Sequence, residues 1–257
     1  MDPMKRTLAL VFCLSLSGVA FADAGLSEKN GKLIEAARDG NLAAVQSLLN
    51  EGASPNAIAI NDNGFSALCW ASFNGHIDIV KLLLEKGAKV DNKPLSNRGH
   101  LALNLAAAQG YTELVKILLD NGADVNAMDD FDKTALMDAS YWNKTETVKF
   151  LLDRGAAVNA KNASDDTALI MAARGEDATD TVKQLLNRGA EANARNREDQ
   201  TALWWASLKG QTEVVKLLLD DRAEANMKAK DGYSALDRAK MNGYIKIVQM
   251  LKDAGAK

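Results

Sequence analysis

Cysteine and histidine are scarce in this sequence of 257 residues, which contains two of each. A disulfide framework needs several cysteine pairs, and a structural zinc site needs Cys or His at short, regular spacings. The sequence offers neither pattern, so we expect neither disulfides nor a metal to stabilise the fold. Stability must then come from a hydrophobic core, and 47% of the residues are hydrophobic.

An excess of basic charge is also missing. The chain has 31 Lys and Arg residues against 34 Asp and Glu residues, which gives a formal charge of -3. Nonspecific binding to nucleic acid depends on a basic surface. We therefore expect no nucleic-acid partner.

The motifs of common enzyme classes are absent as well. The sequence has no glycine-rich phosphate loop, no G-x-G-x-x-G after a strand and no G-x-S-x-G nucleophile elbow. Its many Asp and Glu residues are scattered near the ends of repeated segments, where carboxylates are usually solvated. We therefore expect no cofactor and no catalytic site.

Residues 1–22 have the pattern of a secretory signal peptide. Lys5 and Arg6 precede an apolar run, and Ala20-Phe21-Ala22 matches an A-x-A cleavage site before the polar Asp23. The apolar run of about 15 residues is shorter than the roughly 20 residues that span a bilayer, which disfavours a membrane anchor. We expect cleavage after residue 22.

A lipoprotein site at Cys13 is an alternative interpretation of the same segment. Such a site has small residues before its cysteine, whereas the bulky Phe12 stands before Cys13. Removal of the signal peptide would leave Cys69 as the single cysteine. A periplasmic location suits such a chain better than the extracellular space.

What the sequence does contain is a repeated segment. A motif of the form x-A-L-x-x-A, in which x is usually Ser or Thr, recurs at intervals of 35, 33, 33, 34 and 33 residues, starting at Ser66, Leu101, Thr134, Thr167, Thr201 and Ser234. The first five copies are each followed by a second motif, as in VKLLLEKGAKVDN and VKILLDNGADVNA. One such segment cannot bury its apolar side alone, so the copies are expected to stack.

These motifs resemble the ankyrin repeat, whose unit carries T-P-L-H-x-A in its first helix and ends with L-L-x-x-G-A-D-V-N. The resemblance covers residues 27–257 and implies an all-α ankyrin-repeat solenoid of about seven helix–turn–helix units joined by β-hairpin-like loops. The predicted ankyrin repeat domain is 23–257, with units near residues 27–60, 61–95, 96–128, 129–161, 162–195, 196–228 and 229–257.

The recurring residues of each unit have physical roles. Ser or Thr before the first helix can accept hydrogen bonds from the free N–H groups at the helix start. A glycine after the second helix suits the left-handed backbone that ends helices, and it stands at Gly52, Gly87, Gly122, Gly155, Gly189 and Gly255. Arg222 occupies this position in the sixth unit, and the fifth unit has one extra residue within RGEDATDT.

The resemblance also implies where a partner would bind. In ankyrin proteins the partner site is usually the concave face, formed by hairpin tips and the exposed side of each first helix. Eight of the 14 aromatic residues fall at these positions, and aromatic enrichment is typical of protein interfaces. The predicted partner-binding residues are Phe65, Trp70, Phe73, His100, Phe131, Tyr141, Trp142, Arg174, Trp205, Leu208 and Tyr233. The alternative is that rings such as Trp70 and Trp205 pack against adjacent helices.

Two neighbouring tryptophans must have different surroundings, because adjacent side chains in an α helix point about 100° apart. Trp204 aligns with the His that lies between helices in the ankyrin family, which implies a buried position. Trp205 aligns with the concave side. Cys69 stands at the same repeat position as Trp204 and is expected to be a core thiol rather than a redox sensor.

The sequence therefore predicts an exported, noncatalytic scaffold that binds a folded partner protein on its concave face. We expect a monomer, free of the membrane after signal cleavage, in the periplasm or, alternatively, outside the cell. Such a scaffold could inhibit, protect or help to mature an enzyme. Two other classes stay open, namely an enzyme with a site built across repeats and a structural protein of the cell wall.

Overall fold

The structure, a computed structural model, describes residues 24–58, 64–91, 101–176 and 178–257. The predicted signal peptide and His100 lie outside the described residues. Within those ranges the chain forms fourteen α helices in seven helix–turn–helix pairs, without a β strand. The predicted all-α class and the repeated pairing of helices are confirmed.

Each repeat consists of a first helix and a second helix that follows after a short turn. The first helices are α1 (Ala24–Asp39), α3 (Ala67–Asn74), α5 (Ala102–Gln109), α7 (Ala135–Tyr141), α9 (Ala168–Arg174), α11 (Ala202–Lys209) and α13 (Ala235–Met241). The second helices are α2 (Leu42–Asn50), α4 (Ile77–Glu85), α6 (Thr112–Asp120), α8 (Thr145–Asp153), α10 (Thr179–Asn187), α12 (Thr212–Asp220) and α14 (Ile245–Asp253).

The chain divides into two compact bodies. In the first, which comprises the described residues up to Ala102 together with Asp120–Ala123, α1 packs against α3 and α2 packs against α4. In the second, Leu103–Leu119 with Asp124–Lys257, α9 packs against α7 and α11, and α10 packs against α8 and α12. First helices therefore pack on first helices, and second helices pack on second helices, within each body.

Small residues make this packing close. Ala135, Ala139 and Ala172 are completely buried in the first-helix layer of the second body, where a larger side chain would push the helices apart. In the second-helix layer, Val215 and Leu218 are also completely buried. These two apolar residues of α12 therefore lie in the core.

The predicted helix caps are present. Thr201 Oγ1 accepts a hydrogen bond from the backbone N–H of Trp204 at 3.2 Å. In four other repeats the capping hydroxyl likewise accepts a hydrogen bond from the backbone N–H three residues further on. These residues are Ser66 before α3, Thr134 before α7, Thr167 before α9 and Ser234 before α13. At α13 the Asp237 carboxylate also accepts from the backbone and hydroxyl of Ser234. These hydrogen bonds hold the pKa of Asp237 below its ordinary value.

The end of each second helix follows the predicted pattern. Six glycines that follow second helices have φ between 81° and 92°, and these are Gly52, Gly87, Gly122, Gly155, Gly189 and Gly255. Arg222, at the same position of the sixth repeat, has φ of 65°. The sixth repeat therefore uses the left-handed conformation with a side chain in place of glycine.

Asparagine side chains join consecutive repeats at these helix ends. Asn159 donates to the carbonyl of Gly189 at 3.0 Å and accepts from the backbone N–H of Glu191 at 3.0 Å. Asn193 bridges Arg222 and Glu224 of the next repeat in the same way. The backbone groups that the end of one helix leaves unpaired are thus satisfied by the preceding repeat.

The hairpin-like tips are also linked to one another. Asn196 accepts hydrogen bonds from the backbone N–H groups of Glu198 and Gln200, which closes its own tip, and Arg197 N–H donates to the carbonyl of Ser164 in the preceding tip at 2.9 Å. Isolated antiparallel bridges join Ile58 to Ser66 and Lys228 to Ser234. The tips are short, fixed turns that lie beside the starts of the first helices.

None of the helices in the described ranges combines the length and the apolar character that crossing a membrane requires.

Candidate functional site

The fifth position of each first-helix motif, counted from the capping Ser or Thr, carries side chains of very different kinds. In chain order from the second repeat, these residues are Trp70, Leu105, Asp138, Met171, Trp205 and Arg238. Leu105 and Met171 are buried, whereas Trp70 and Trp205 are only partly buried. This position therefore lies at the edge of the core, where a large side chain reaches the surface.

Trp205 lies between an arginine and a second tryptophan. The Arg174 guanidinium carbon is 5.1 Å from the centroid of the Trp205 ring, and the Trp204 ring meets it edge-on at 5.0 Å between centroids. The indole Nε1 of Trp205 is buried and finds no hydrogen-bond acceptor among the described residues. Arg174 comes from the end of α9, so this contact connects the fifth repeat with the sixth.

A buried carboxylate orients Arg174. Its Nη1 lies 3.3 Å from Asp166 Oδ2, and the Asp166 side chain is almost completely buried while that of Arg174 is 44% exposed. Asn196 Nδ2 donates to the other oxygen of Asp166 at 2.8 Å. Asp166 is thus fixed by the next repeat and holds the guanidinium in place above the Trp205 ring.

Trp204 is part of the core, and the prediction that it is largely buried is confirmed. Its side chain is 4% exposed, and its Nε1 donates to the Tyr233 carbonyl at 3.2 Å. Arg238 lies 4.6 Å from the Trp204 centroid and 4.5 Å from the Tyr233 centroid, and it also pairs with Asp231. The seventh repeat therefore covers Trp204, whereas Arg174 of the fifth repeat lies over Trp205.

The remaining predicted residues of the second body lie mostly at the surface. Tyr141 and Trp142 are partly buried and meet edge-on, with 5.0 Å between their ring centroids. Leu208 is partly buried one turn after Trp205. Phe131 and Tyr233 are exposed at hairpin tips, and Arg174 is exposed at the end of α9.

The first body requires a correction to the predicted surface. Phe65 is 2% exposed and Phe73 is 8% exposed, so both side chains belong to the interior rather than to an open face. They support Trp70 edge-on, at centroid distances of 5.3 Å and 6.2 Å. Trp70 itself is partly buried, and Arg38 lies over its ring at 5.9 Å. The Phe65 ring turns inward from the tip and packs against the Trp70 ring.

Five residues of the second body form a surface that we call the first-helix face. Four of them lie on first helices and Trp142 lies in the turn after α7, and the set is Tyr141, Trp142, Arg174, Trp205 and Leu208. Its parts adjoin one another. A Cβ atom added to Gly175 would lie 2.3 Å from the carbonyl oxygen of Tyr141, so the two backbones approach closely. Gly175 directly follows Arg174 in the chain. The face is therefore a strip of side chains from three adjoining repeats, the fourth to the sixth.

Carboxylates near this strip already have partners. Asp138 Oδ2 accepts a hydrogen bond from Asn104 Nδ2 at 3.0 Å, and Asp138 Oδ1 lies 3.7 Å from Lys133 Nζ. Asp166 is paired with Arg174 and Asn196. Across the described residues, no group of three or more His, Cys, Asp or Glu side chains is arranged to hold a metal ion. What the strip offers is aromatic area and the cation of Arg174.

Cys69 belongs to the first body. Its side chain is buried, and burial raises the pKa of the Cys69 thiol, an effect that hydrogen bonds with Ser66 partly offset. A thiol of this kind reacts slowly, because the thiolate is the nucleophilic form.

Comparison with known families agrees with the geometry. The family model described as Ankyrin repeats (3 copies) matches residues 6–94, 90–162 and 169–257, which together make up most of the sequence. The chain belongs to the ankyrin repeat family. No curated protein matches it. Ankyrin repeats generally act as scaffolds for protein–protein interaction and are typically noncatalytic.

Sequence reasoning missed the two arginines that accompany the predicted aromatic residues. Arg38 stacks on Trp70, and Arg238 lies between Trp204 and Tyr233. One signal was available, since Ala-Ala-Arg occurs at residues 36–38 and again at residues 172–174, each time one repeat before a tryptophan at the fifth position.

Proposed function

We propose that this protein is an exported, noncatalytic scaffold that captures a folded partner protein through the first-helix face. The observation that supports the proposal is the strip of Tyr141, Trp142, Arg174, Trp205 and Leu208, which come from three adjoining repeats. Tyr, Trp and Arg are the residue types that contribute most binding energy at protein interfaces, because they bury a large area. The rigid packing of α7, α9 and α11 presents them without a loop that must first be ordered.

Export to the periplasm is part of the same proposal. It is supported by the signal-peptide pattern of residues 1–22 and by the single cysteine that would remain after cleavage. A partner in that compartment could be an enzyme that the scaffold inhibits, protects or helps to mature. The extracellular space is the alternative location.

The test is crosslinked affinity capture from periplasmic extract with the purified protein as bait. We expect one partner to be enriched by the wild-type protein and to be lost by the double variant Trp142→Ala, Trp205→Ala. Each central aromatic anchor contributes about 2 kcal/mol, so a single variant should weaken capture by roughly thirtyfold.

Phe150→Ala is the matched control. Phe150 lies on the second helix α8 and has Arg154 over its ring at 5.4 Å, so the substitution removes a similar ring-and-arginine contact from the other helix layer. Capture should survive this change. If the double variant retains the partner at full strength, or if Phe150→Ala alone loses it, the first-helix face is not the binding surface.

An enzyme with a site built across repeats is the second candidate. It would gain support if the purified protein turned over a substrate and one surface carboxylate substitution abolished that turnover. A structural role at the cell wall would instead be indicated by sedimentation with peptidoglycan in the absence of a protein partner.

A further inference from the structure

The hairpin-tip residue just before the capping Thr is buried in the fifth repeat. At this position of the fourth and sixth repeats, Lys133 and Gln200 are only partly buried, and Tyr233 of the seventh repeat is exposed. Asp166 of the fifth repeat is 2% exposed. A buried carboxylate loses its hydration, which is unfavourable unless other polar groups replace the water. The burial of Asp166 therefore depends on the groups around it.

Three residues from different parts of the chain hold Asp166. Arg174 Nη1, at the end of α9, donates to Asp166 Oδ2 at 3.3 Å. Asn196 Nδ2, in the tip of the sixth repeat, donates to Asp166 Oδ1 at 2.8 Å. Asn162 Oδ1 accepts a hydrogen bond from the backbone N–H of Asp166 at 3.0 Å. Of these partners, Arg174 is the one whose side chain is exposed at the surface.

Asn196 is itself fixed, so it gives the carboxylate an anchor in the next repeat. Its side chain is buried, and its side-chain oxygen accepts from the backbone N–H groups of Glu198 and Gln200. An exposed ion pair leaves two long side chains mobile, because holding them in one geometry costs conformational entropy. A carboxylate that is already fixed on its other side can instead select one conformation of Arg174.

The conformation of Arg174 matters for the first-helix face. Its guanidinium carbon lies 5.1 Å from the centroid of the Trp205 ring, and its side chain is 44% exposed. A flexible side chain that becomes ordered only on binding lowers the affinity of an interface. An arginine that Asp166 orders in the free protein avoids this loss.

We propose that Asp166 is a positioning residue of the first-helix face. It holds Arg174 beside Trp205 in the conformation that receives the partner, although Asp166 itself is too deeply buried to contact that partner. This inference rests on the proposed scaffold function, and it makes capture depend on a residue that is not part of the exposed surface.

The first test needs no partner and uses the purified full-length protein labelled uniformly with ¹⁵N. The heteronuclear NOE of the Arg174 Nε–Hε group reports motion of that side chain, and the Trp205 indole N–H resonance reports its surroundings. Arg174→Lys and Trp205→Phe identify the two signals. Arg174 should be as ordered as the backbone in the wild type. Asp166→Asn, which keeps the size of the side chain and removes its charge, should make Arg174 mobile and shift the Trp205 resonance.

Asp138→Asn is the matched control. Asp138 is also buried, and it also pairs with a basic side chain, Lys133, and with an amide, Asn104. The substitution therefore removes a similar carboxylate from the fourth repeat. The Arg174 and Trp205 signals should remain as they are in the wild type.

The second test measures the affinity of each variant for the purified partner that the wild-type protein captures. Arg174→Gln and Asp166→Asn should each weaken binding by about tenfold, and the double variant should also lose about tenfold, because two residues that act through one contact are not additive. Asp138→Asn should leave the affinity unchanged. A purely structural role of Asp166 would instead make the losses of the two single substitutions multiply.

The proposal is overturned if Arg174 is mobile in the wild type, if it stays ordered in Asp166→Asn, or if the two losses of affinity multiply. Any of these results leaves the scaffold in place when a partner is still captured through Trp142 and Trp205. If the wild-type protein captures no partner, the scaffold function fails, and the role of Asp166 in capture fails with it even where the NOE shows an ordered arginine.

Discussion

At the scale of single residues, one step along α11 separates two tryptophans with different surroundings. Trp204 is covered by Arg238 and donates to Tyr233, whereas Trp205 reaches the surface beside Arg174. Both rings also touch each other. The difference arises because side chains that are adjacent in a helix point about 100° apart, so only one of the two can face the next repeat.

We expect Trp204→Ala to cost about 3 to 5 kcal/mol of unfolding free energy, as truncation of a large core aromatic does. Trp205→Ala should cost much less, since its ring is only partly buried. Denaturant melts of the two purified variants measure both values. If Trp205→Ala unfolds the protein while Trp204→Ala leaves it intact, the assignment of the two roles is wrong.

Arg222 is a second residue whose effect can be isolated. Its φ of 65° places a side chain in the left-handed region, which costs roughly 1 to 2 kcal/mol. Replacement by Gly removes this cost but adds freedom to the unfolded chain. We expect Arg222→Gly to raise the unfolding free energy by about 1 kcal/mol, measured as a higher melting temperature.

Gly189→Ala is the reverse experiment. Gly189 has φ of 81°, and a Cβ built on it would meet nothing within 4 Å, so only the backbone conformation is affected. The substitution should lower the melting temperature. A lower melting temperature for Arg222→Gly would show that the Arg222 side chain stabilises the sixth repeat in a way that outweighs the strain.

At the scale of elements, the connection between α9 and α10 differs from its counterparts. Gly75 and Gly210, which end α3 and α11, have φ of 77° and 75°, whereas Gly175, which ends α9, has φ of -70° and ψ of -163°. This is the repeat with the extra residue. Gln211 of the next repeat donates to the Gly175 carbonyl at 2.7 Å. Gly175 is required here for close approach and not for a left-handed backbone.

We expect Gly175→Ala to destabilise the protein by about 1 to 3 kcal/mol, as overpacking does. The added Cβ would stand 2.3 Å from the Tyr141 carbonyl, a backbone atom that cannot move aside cheaply. Thermal melts provide the measurement. Gly31→Ala is the control, because a Cβ there meets nothing within 4 Å inside helix α1, and alanine should stabilise that helix. Equal melting temperatures for wild type and Gly175→Ala would contradict the close contact.

At the scale of the whole molecule, stability comes from stacked repeats rather than from covalent crosslinks. Each body buries alanines and leucines between successive first helices and between successive second helices. Cys69 is enclosed in this core, which agrees with the prediction of a structural thiol. If residues 1–22 are removed as proposed, Cys69 is the single cysteine left, and such a chain can fold in an oxidising compartment without forming wrong intramolecular disulfides.

The proposed export makes a prediction about the mature chain. Because the A-x-A pattern ends at Ala22, we expect the protein recovered from the periplasmic fraction to begin at Asp23. Intact-mass spectrometry of that fraction measures the start directly. A mass that retains residues 1–22, or a lipid adduct on Cys13, would contradict signal-peptidase cleavage at this site.

Much of the fold could be predicted from the sequence because its signals are local and repeated. Caps such as Thr201 and helix-ending glycines such as Gly189 each depend on residues within one repeat. Because these signals recur every 33 to 35 residues, the sequence predicts one pair of helices in each repeat. The buried position of Trp204 followed from the same alignment.

The candidate site was decided by the tertiary structure, because its contacts join residues about one repeat apart and depend on the size of the neighbours. Phe65 and Phe73 fall at the repeat positions where Tyr233 and Arg174 are exposed, yet both phenylalanines are buried and pack edge-on against Trp70. Arg174 lies over Trp205 because packing of α9 on α11 brings the end of one helix to the middle of the next. No local pattern specifies such a contact, so sequence determined the repeat and packing between repeats determined which side chains reach the surface.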